Sequence, residues 1–152
     1  MSAHLLTGVR PYGEDAADIL LVDGAIAAVG PDAAAKAPAD ARRHDLDGLV
    51  ALPGLVDIHT HLREPGRESA ETVFTGTRAA AVGGYTAVFA MANTTPVQDS
   101  AGVVEQVLRL GREAGWVDVH PVGAVSAGLR GEHLSEMSAM IEIGRASCRE
   151  RV

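Results

Sequence analysis

The architecture of this chain follows from one run of residues, Leu55-Val56-Asp57-Ile58-His59-Thr60-His61-Leu62-Arg63-Glu64-Pro65-Gly66. Its first eight residues predict a β-strand, on which successive side chains point to opposite faces. The polar face then carries Asp57, His59, His61 and Arg63. The apolar face, which we expect to pack, carries Val56, Ile58, Thr60 and Leu62. Because Pro65 and Gly66 end the strand, the polar cluster lies at its carboxyl end.

The histidines of this strand predict a metal site. On a strand, His59 and His61 lie close enough to bind one ion, and neutral imidazole is a favoured ligand of zinc and similar divalent ions. A catalytic zinc usually takes three protein ligands and a water molecule, so further ligands must come from elsewhere in the fold. Taken alone, the pair is also compatible with hydrogen-bonded core histidines. Asp57 is expected to orient the backbone or the ligands rather than to bind metal.

Composition narrows the class of protein. The chain has 152 residues, of which 47% are hydrophobic and 22% charged, as is typical of a globular domain. Its formal net charge of −7 argues against a nucleic-acid or anionic-membrane surface and favours a small-molecule partner. No apolar run approaches the roughly 20 residues of a membrane span, and the features of a signal peptide are missing, so we expect a cytoplasmic protein. Cys148 is the only cysteine, which excludes an internal disulfide.

The first third of the chain predicts short β-strands. Apolar runs at 18–22 and 25–29 flank Asp23-Gly24, the two-residue signal of a type I′ hairpin. A polar, alanine-rich link is expected at 32–41 and another strand at 43–46. These strands are too few to close a sandwich, so they need partners from outside the segment.

From Leu49 onward the pattern alternates between strands and helices. Strands are predicted within 49–62, 85–91 and 117–125, and helices over 72–82, 101–114 and from about 134. Such alternation predicts a parallel sheet with right-handed crossovers, either an open doubly wound sheet or a (β/α)8 barrel. The barrel is favoured because its active sites lie at the carboxyl ends of strands, where His59 and His61 fall. A whole barrel needs roughly 250 residues, so we expect an incomplete one.

Three segments resemble dihydroorotase, a family of the amidohydrolase superfamily. They are Pro53 to Gly66, Gly83-Gly84-Tyr85-Thr86 and Met91-Ala92-Asn93-Thr94-Thr95-Pro96. The resemblance covers residues 5 to about 141. It implies that residues 1–50 are the N-terminal portion of a small β-domain and that residues 51–142 are the first strands and helices of the (β/α)8 barrel.

The resemblance also assigns roles to individual residues. His59 and His61 would be zinc ligands, in a site of one or two ions, and Arg63 with Asn93 would hold a substrate carboxylate. Arginine offers a planar fork of donors suited to that group, and asparagine a neutral donor. Ala92 departs from the family, which more often has proline there. The family's further metal ligands and its catalytic aspartate, from later strands, match no position here, so no catalytic residue is assigned.

The activity implied is zinc-dependent, reversible cyclisation of N-carbamoyl-L-aspartate to L-dihydroorotate in pyrimidine synthesis, with the chain itself inactive as a fragment. Two alternatives stay open. One is an allantoinase or hydantoinase type of cyclic amidohydrolase. Arg63 favours dihydroorotase over this alternative. The other is a non-catalytic dihydroorotase-like subunit of aspartate transcarbamoylase. Such subunits tend to lose the metal histidines, so the presence of His59 and His61 argues against this alternative. A full-length protein is compatible with a homodimer or with binding to aspartate transcarbamoylase.

The end of the chain departs from this resemblance. Residues 143–152 show neither strand nor helix periodicity and resemble translated sequencing-adapter DNA. We expect them to be a non-native tail, to be left out of fold reasoning.

Overall fold

The computed structural model describes residues 2–143 and the backbone of 147–149. The chain divides into two compact units, one ending at Pro53 and the other beginning at Gly54. Most of the predicted tail therefore lies outside the described residues. No helix among the described residues is long and apolar enough to cross a membrane.

The first unit is a five-stranded sheet with one short helix. Its elements are β1 (Ala3–Pro11), β2 (Ala17–Val22), β3 (Ala25–Val29), α1 (Pro31–Lys36), β4 (Arg42–Asp45) and β5 (Val50–Ala51). The strand order is β3-β2-β1-β4, with β5 also paired to β1. Leu5, Leu20 and Ala33 form its buried cluster, so α1 covers the sheet through Ala33.

The hairpin predicted around Asp23-Gly24 is confirmed. Strands β2 and β3 pair antiparallel, and both turn residues have positive φ, 47° and 81°, as a type I′ turn requires. The link predicted at 32–41 is wrong in part, because Pro31 begins helix α1 there. Proline is favoured in the first turn of a helix, where its missing N–H needs no partner.

The second unit has the predicted alternation of strands and helices. Its elements are β6 (Leu55–Thr60), α2 (Val73–Val82), β7 (Tyr85–Ala90), α3 (Ala101–Ala114), β8 (Asp118–Ala124), a 3-10 turn (Ala127–Leu129), α4 (Met137–Glu142) and β9 (Ser147–Arg149). The sheet order is β6-β7-β8-β9, and every pair is parallel. The α/β class and the parallel sheet are therefore confirmed. Strand β9 falls in the segment for which no periodicity was found.

Helix α2 begins where side chains satisfy its free N–H groups. The Thr72 hydroxyl accepts from the N–H of Thr75, and the Thr75 hydroxyl accepts from the N–H of Thr72, which makes a reciprocal cap. The Glu64 carboxylate accepts from the N–H of Val73 at 2.7 Å. Glu64 therefore ties the loop after β6 to the positive end of this helix.

The packing of α3 on β8 depends on a glycine. Val104, Val107 and Leu108 are buried along the helix, and Gly111 faces Val119 of β8. A Cβ atom added at Gly111 would lie 2.6 Å from the Cβ of Val119, closer than packed side chains approach. The helix can lie this close to the sheet only because residue 111 has no side chain.

We expect Gly111→Ala to destabilise the protein by about 1–3 kcal/mol, the usual cost of overpacking a core. Gly102→Ala is the matched control on the same helix, because nothing lies within 4 Å of a Cβ added there. Alanine is the better helix former, so the control should unfold at the same temperature or higher. Thermal unfolding of the two variants side by side measures the difference. Equal midpoints would contradict the close packing.

Strand β6 carries much of its apolar surface exposed. Leu55, Val56 and Ile58 are 49%, 52% and 68% exposed, whereas Leu62, just after the strand, is 5% exposed. The expectation that Val56 and Ile58 pack is therefore wrong for these residues. Within the described part of the chain β6 pairs with β7 alone, so no second strand covers its other edge.

Candidate active site

A cavity of about 410 Å³ lies at the carboxyl ends of β6, β7 and β8. Its lining residues come from the carboxyl-terminal halves of β6 and β8 and from the segments that follow the three strands: His59, His61, Met91, Ala92, Asn93, Val122 and Leu129. The polar lining groups are two imidazoles and one amide, and the rest of the wall is apolar. A mostly apolar cavity with a few convergent polar groups is typical of a small-molecule site.

His59 of β6 and His61, just after the strand, meet at this cavity. Their ring centroids lie 5.2 Å apart and their planes are inclined by 71°. Neither ring is buried in the core, and imidazole nitrogens at this spacing suit a shared divalent ion. The donor set therefore fits zinc, with both imidazoles as ligands.

Asp57 does not share the face of these histidines, which corrects the alternation predicted from the sequence. It lines a different cavity, together with Thr60 and Leu62. The cause is a register shift: the step from Asp57 to Thr60 spans three residues of β6, whereas its partner strand advances by two, from Val88 to Ala90. An extra residue in one strand is a β-bulge, which redirects the side chains that follow it.

The Asp57 carboxylate holds this bulge. One oxygen accepts from the backbone N–H of His59 at 2.9 Å, and the other accepts from the Thr60 hydroxyl at 3.2 Å. The expectation that Asp57 orients the backbone is therefore confirmed. Its carboxylate acts from behind the strand, on the side opposite the rings that it positions.

We expect Asp57→Ala to lower zinc affinity roughly tenfold or more, the usual effect of removing a group that orients a metal ligand. Asp57→Asn keeps one carbonyl oxygen as an acceptor, so its zinc affinity should lie between those of Asp57→Ala and the wild type. Asp118→Ala removes an exposed carboxylate from the same sheet and serves as the control. Chelator competition on the wild type and the three purified variants measures the affinities. Wild-type affinity in Asp57→Ala would contradict the positioning role.

Asn93 reaches the histidines from the loop after β7. Its side-chain oxygen lies 2.8 Å from Nδ1 of His61. The backbone around it is held by two turns, in which the N–H groups of Thr94 and Gln98 both donate to the carbonyl of Ala92, at 2.9 and 3.0 Å. The structure thus brings Asn93 together with His59 and His61, as the sequence predicted for one site.

Arg63 has a different position. It is the residue at which the chain turns out of the strand direction, with a left-handed φ of 61°. Its carbonyl accepts from the N–H of Arg67 at 2.9 Å, and the side chain is not among those that line the cavity. The predicted pairing of Arg63 with Asn93 on a carboxylate therefore stays a prediction.

The loops after β6 and β7 are joined to each other. The N–H of Thr95 donates to the carbonyl of Pro65 at 2.9 Å, and Gly66 lies against Thr95 so closely that an added Cβ would be 2.3 Å from its carbonyl oxygen. The N–H groups of Gly66 and of Glu68 itself hold the pKa of the Glu68 carboxyl below its usual value. The two loops that carry Arg63 and Asn93 therefore form one unit.

Leu129 was missed by the sequence analysis although it lines the cavity. Its backbone is left-handed, with φ at 59°, which is rare for leucine. Hydrogen bonds on either side hold the loop: the N–H of Gly128 donates to the Asp99 carboxylate at 2.7 Å, and that of Gly131 donates to the Ser126 hydroxyl at 2.9 Å. The paired glycines at 128 and 131 were the available signal for a tight loop there.

The described residues hold no third metal ligand beside these histidines. Across residues 2–143, no cluster of three or more His, Cys, Asp or Glu side chains is arranged to hold an ion.

Comparison with known proteins identifies the family. A family model described as Dihydro-orotase-like matches residues 48–150. The chain belongs to the dihydro-orotase-like family. The predicted resemblance is thereby confirmed, and with it the fold class, the N-terminal part of an amidohydrolase barrel.

Curated relatives of this dihydro-orotase-like chain are named dihydroorotase. The protein from Streptomyces coelicolor is 57% identical over 142 residues, which are 93% of this chain and 32% of the relative. The protein from Mycobacterium tuberculosis is 58% identical over 146 residues, 95% of this chain and 33% of the relative. The chain thus spans about a third of the length of the curated relatives it matches.

A solved structure supports the same fold. The L-hydantoinase (dihydropyrimidinase) from Arthrobacter aurescens matches with a TM-score of 0.75 at 25% identity, covering 97% of this chain and 32% of that one. The chain therefore has the architecture of the first third of an amidohydrolase enzyme and is incomplete relative to it.

Proposed function

We propose that this chain forms one wall of the active site of a zinc-dependent dihydroorotase, which closes N-carbamoyl-L-aspartate to L-dihydroorotate reversibly. The proposal rests on the convergence of His59, His61 and Asn93 on one cavity, in a chain more than half identical to proteins named dihydroorotase. The chain spans about a third of those relatives, so the activity is proposed for the full-length protein.

In this proposal His59 and His61 hold the ion. A bound zinc supplies a Lewis acid that polarises the amide carbonyl and acidifies water. Asp57 holds the backbone of the strand that carries His59. Leu129, Val122 and Met91 form an apolar wall, which limits the water around the substrate ring.

We also propose that the substrate carboxylate binds between Arg63 and Asn93. The Asn93 oxygen faces His61, which leaves the amide hydrogens to donate to an anion. Arg63 lies on the loop that is hydrogen-bonded to the loop of Asn93, and in this proposal its guanidinium, a planar fork of donors, binds the same anion.

The domain assignments are part of the proposal. We propose a small β-domain for residues 1–50, the barrel for 51–142 and a non-native tail for 143–152. The cytoplasm is the proposed compartment, and a homodimer or a complex with aspartate transcarbamoylase is the proposed assembly to test in the full-length protein.

The test is a comparison of substrates on the full-length, zinc-loaded protein. Dihydroorotate, N-carbamoyl-L-aspartate, allantoin, hydantoin and dihydrouracil are assayed under one set of conditions. We expect turnover of the first two to exceed that of the others, because only they carry a carboxylate for Arg63 and Asn93. Preference for hydantoin or dihydrouracil would instead support the hydantoinase alternative. Less than one bound zinc per full-length chain, with no turnover of any substrate, would support the non-catalytic one.

A further inference from the structure

The contact between Asn93 and His61 restricts the protonation of the ring. The amide oxygen is an acceptor only, so the 2.8 Å contact to Nδ1 requires that this nitrogen carry the proton and donate it. A neutral imidazole has one N–H group. The lone pair of His61 is therefore at Nε2, the nitrogen left free to bind a metal.

The backbone that places the Asn93 amide next to His61 is held by a buried side chain. The Gln98 side chain is fully buried, and its amide nitrogen donates to the carbonyl of Met91 at 2.8 Å. The backbone of Gln98 adds two bonds, donating to Ala92 and accepting from the N–H of Ala124 of β8 at 2.7 Å. The segment before Asn93 is therefore tied through Gln98 to β8, and these bonds hold the backbone that carries Asn93 next to His61.

We propose that Asn93 is a positioning residue for metal binding, which sets the tautomer and the ring orientation of His61, in addition to any contact with the substrate. This inference rests on the proposed function for the identity of His61 as a zinc ligand. The Asn93 amide then has two roles: its oxygen orients His61, and its nitrogen can still donate to an anion. Partners of this kind on the second ring nitrogen fix the ligand and raise its basicity.

Two substitutions separate these roles. Asn93→Asp keeps an oxygen acceptor beside Nδ1 and loses both amide hydrogens. Asn93→Leu has a similar volume and loses the acceptor and the donors together. If Asn93 positions His61, the two variants differ in zinc affinity although both lose the amide hydrogens.

The experiment measures zinc affinity by chelator competition on the full-length apo-proteins, with no substrate present. We expect Asn93→Leu to bind zinc roughly 10–100-fold more weakly than the wild type, the range found when such partners are removed. We expect Asn93→Asp to bind it at least as tightly as the wild type. Equal affinities in Asn93→Leu and the wild type, or an equal loss in both variants, would overturn the proposal.

A second readout keeps the test decisive if Asn93→Leu folds poorly. The ¹⁵N shifts of the His61 ring in the apo-protein report which nitrogen is protonated, and they are compared between the wild type and Asn93→Asp. Protonation at Nδ1 in both supports the proposal, and protonation at Nε2 in the wild type overturns it. These readouts do not depend on the substrate, so a preference for hydantoin would refute the proposed function and leave this inference standing.

Discussion

His59→Ala in the full-length protein is expected to lower the turnover of dihydroorotate by at least about 10³-fold, and His61→Ala to do the same. A catalytic metal stabilises the transition state by several kcal/mol, and each 1.4 kcal/mol corresponds to a factor of about ten in rate. The two rings are 5.2 Å apart at the cavity, and no cluster of three or more metal-binding side chains occurs among residues 2–143, so no neighbour is placed to replace either one.

The measurement combines steady-state kinetics with the zinc content of the purified variants. His133→Ala is the control, because this histidine is exposed and does not line the cavity. Removing zinc from the wild type with a chelator should reproduce the loss, and adding zinc should restore activity to the wild type but not to His59→Ala. Full zinc content and wild-type turnover in either histidine variant would refute the metal site.

Gly66→Ala is expected to have the second largest effect, because it separates the two loops that carry Arg63 and Asn93. The new Cβ would lie 2.3 Å from the carbonyl oxygen of Thr95, a backbone atom that cannot rotate away. The residue also has φ at 106°, which alanine adopts only with strain. We expect a loss of about 2–4 kcal/mol in stability, from strain and overpacking together.

We expect Gly66→Ala to lower the catalytic efficiency of the full-length protein as well as its stability. A displacement of about 1 Å in a positioning group costs up to about 10²-fold in rate, so we expect kcat/KM to fall by that order. Gly84→Ala is the matched control, since its φ is also positive at 84° but nothing lies within 4 Å of an added Cβ. Equal effects of the two substitutions on kcat/KM would show that the contact between the loops does not matter.

Local signals were sufficient for much of this fold. The Asp23-Gly24 turn predicted the β2–β3 hairpin, because type I′ geometry depends on those two residues alone. The helix predicted at 101–114 has those bounds in the structure, since its apolar stripe is regular and Gly115 ends it in a left-handed conformation. Helix α4 begins at Met137 rather than near Leu134, which is 72% exposed.

Features that depend on residues far apart in the sequence could not be predicted from local sequence signals. The bulge that turns Asp57 away from His59 arises from pairing with β7, and strict alternation along the strand cannot reveal it. Strand β1 was missed because Gly8, with φ at 69°, interrupts its alternation. The entry of Leu129 into the cavity depends on the hydrogen bond from the N–H of Gly128 to Asp99, which lies 29 residues away along the chain.

For the site, residue types were more informative than geometry. His59, His61 and Asn93 were expected together from spacing and resemblance, and the cavity unites them. The position of the Arg63 side chain was not determined by the pattern, because a long side chain on a left-handed residue has many rotamers.

The exposed edge of β6 has a practical consequence for handling the protein. A parallel strand that, among the described residues, is paired along one edge only and has Leu55, Val56 and Ile58 exposed is a template for pairing with another molecule. Aggregation is therefore the main competing process when residues 54–143 are produced by themselves. His59 lies in the same strand and His61 follows directly after it, so self-association would cover both candidate metal ligands and would be mistaken for a loss of metal affinity.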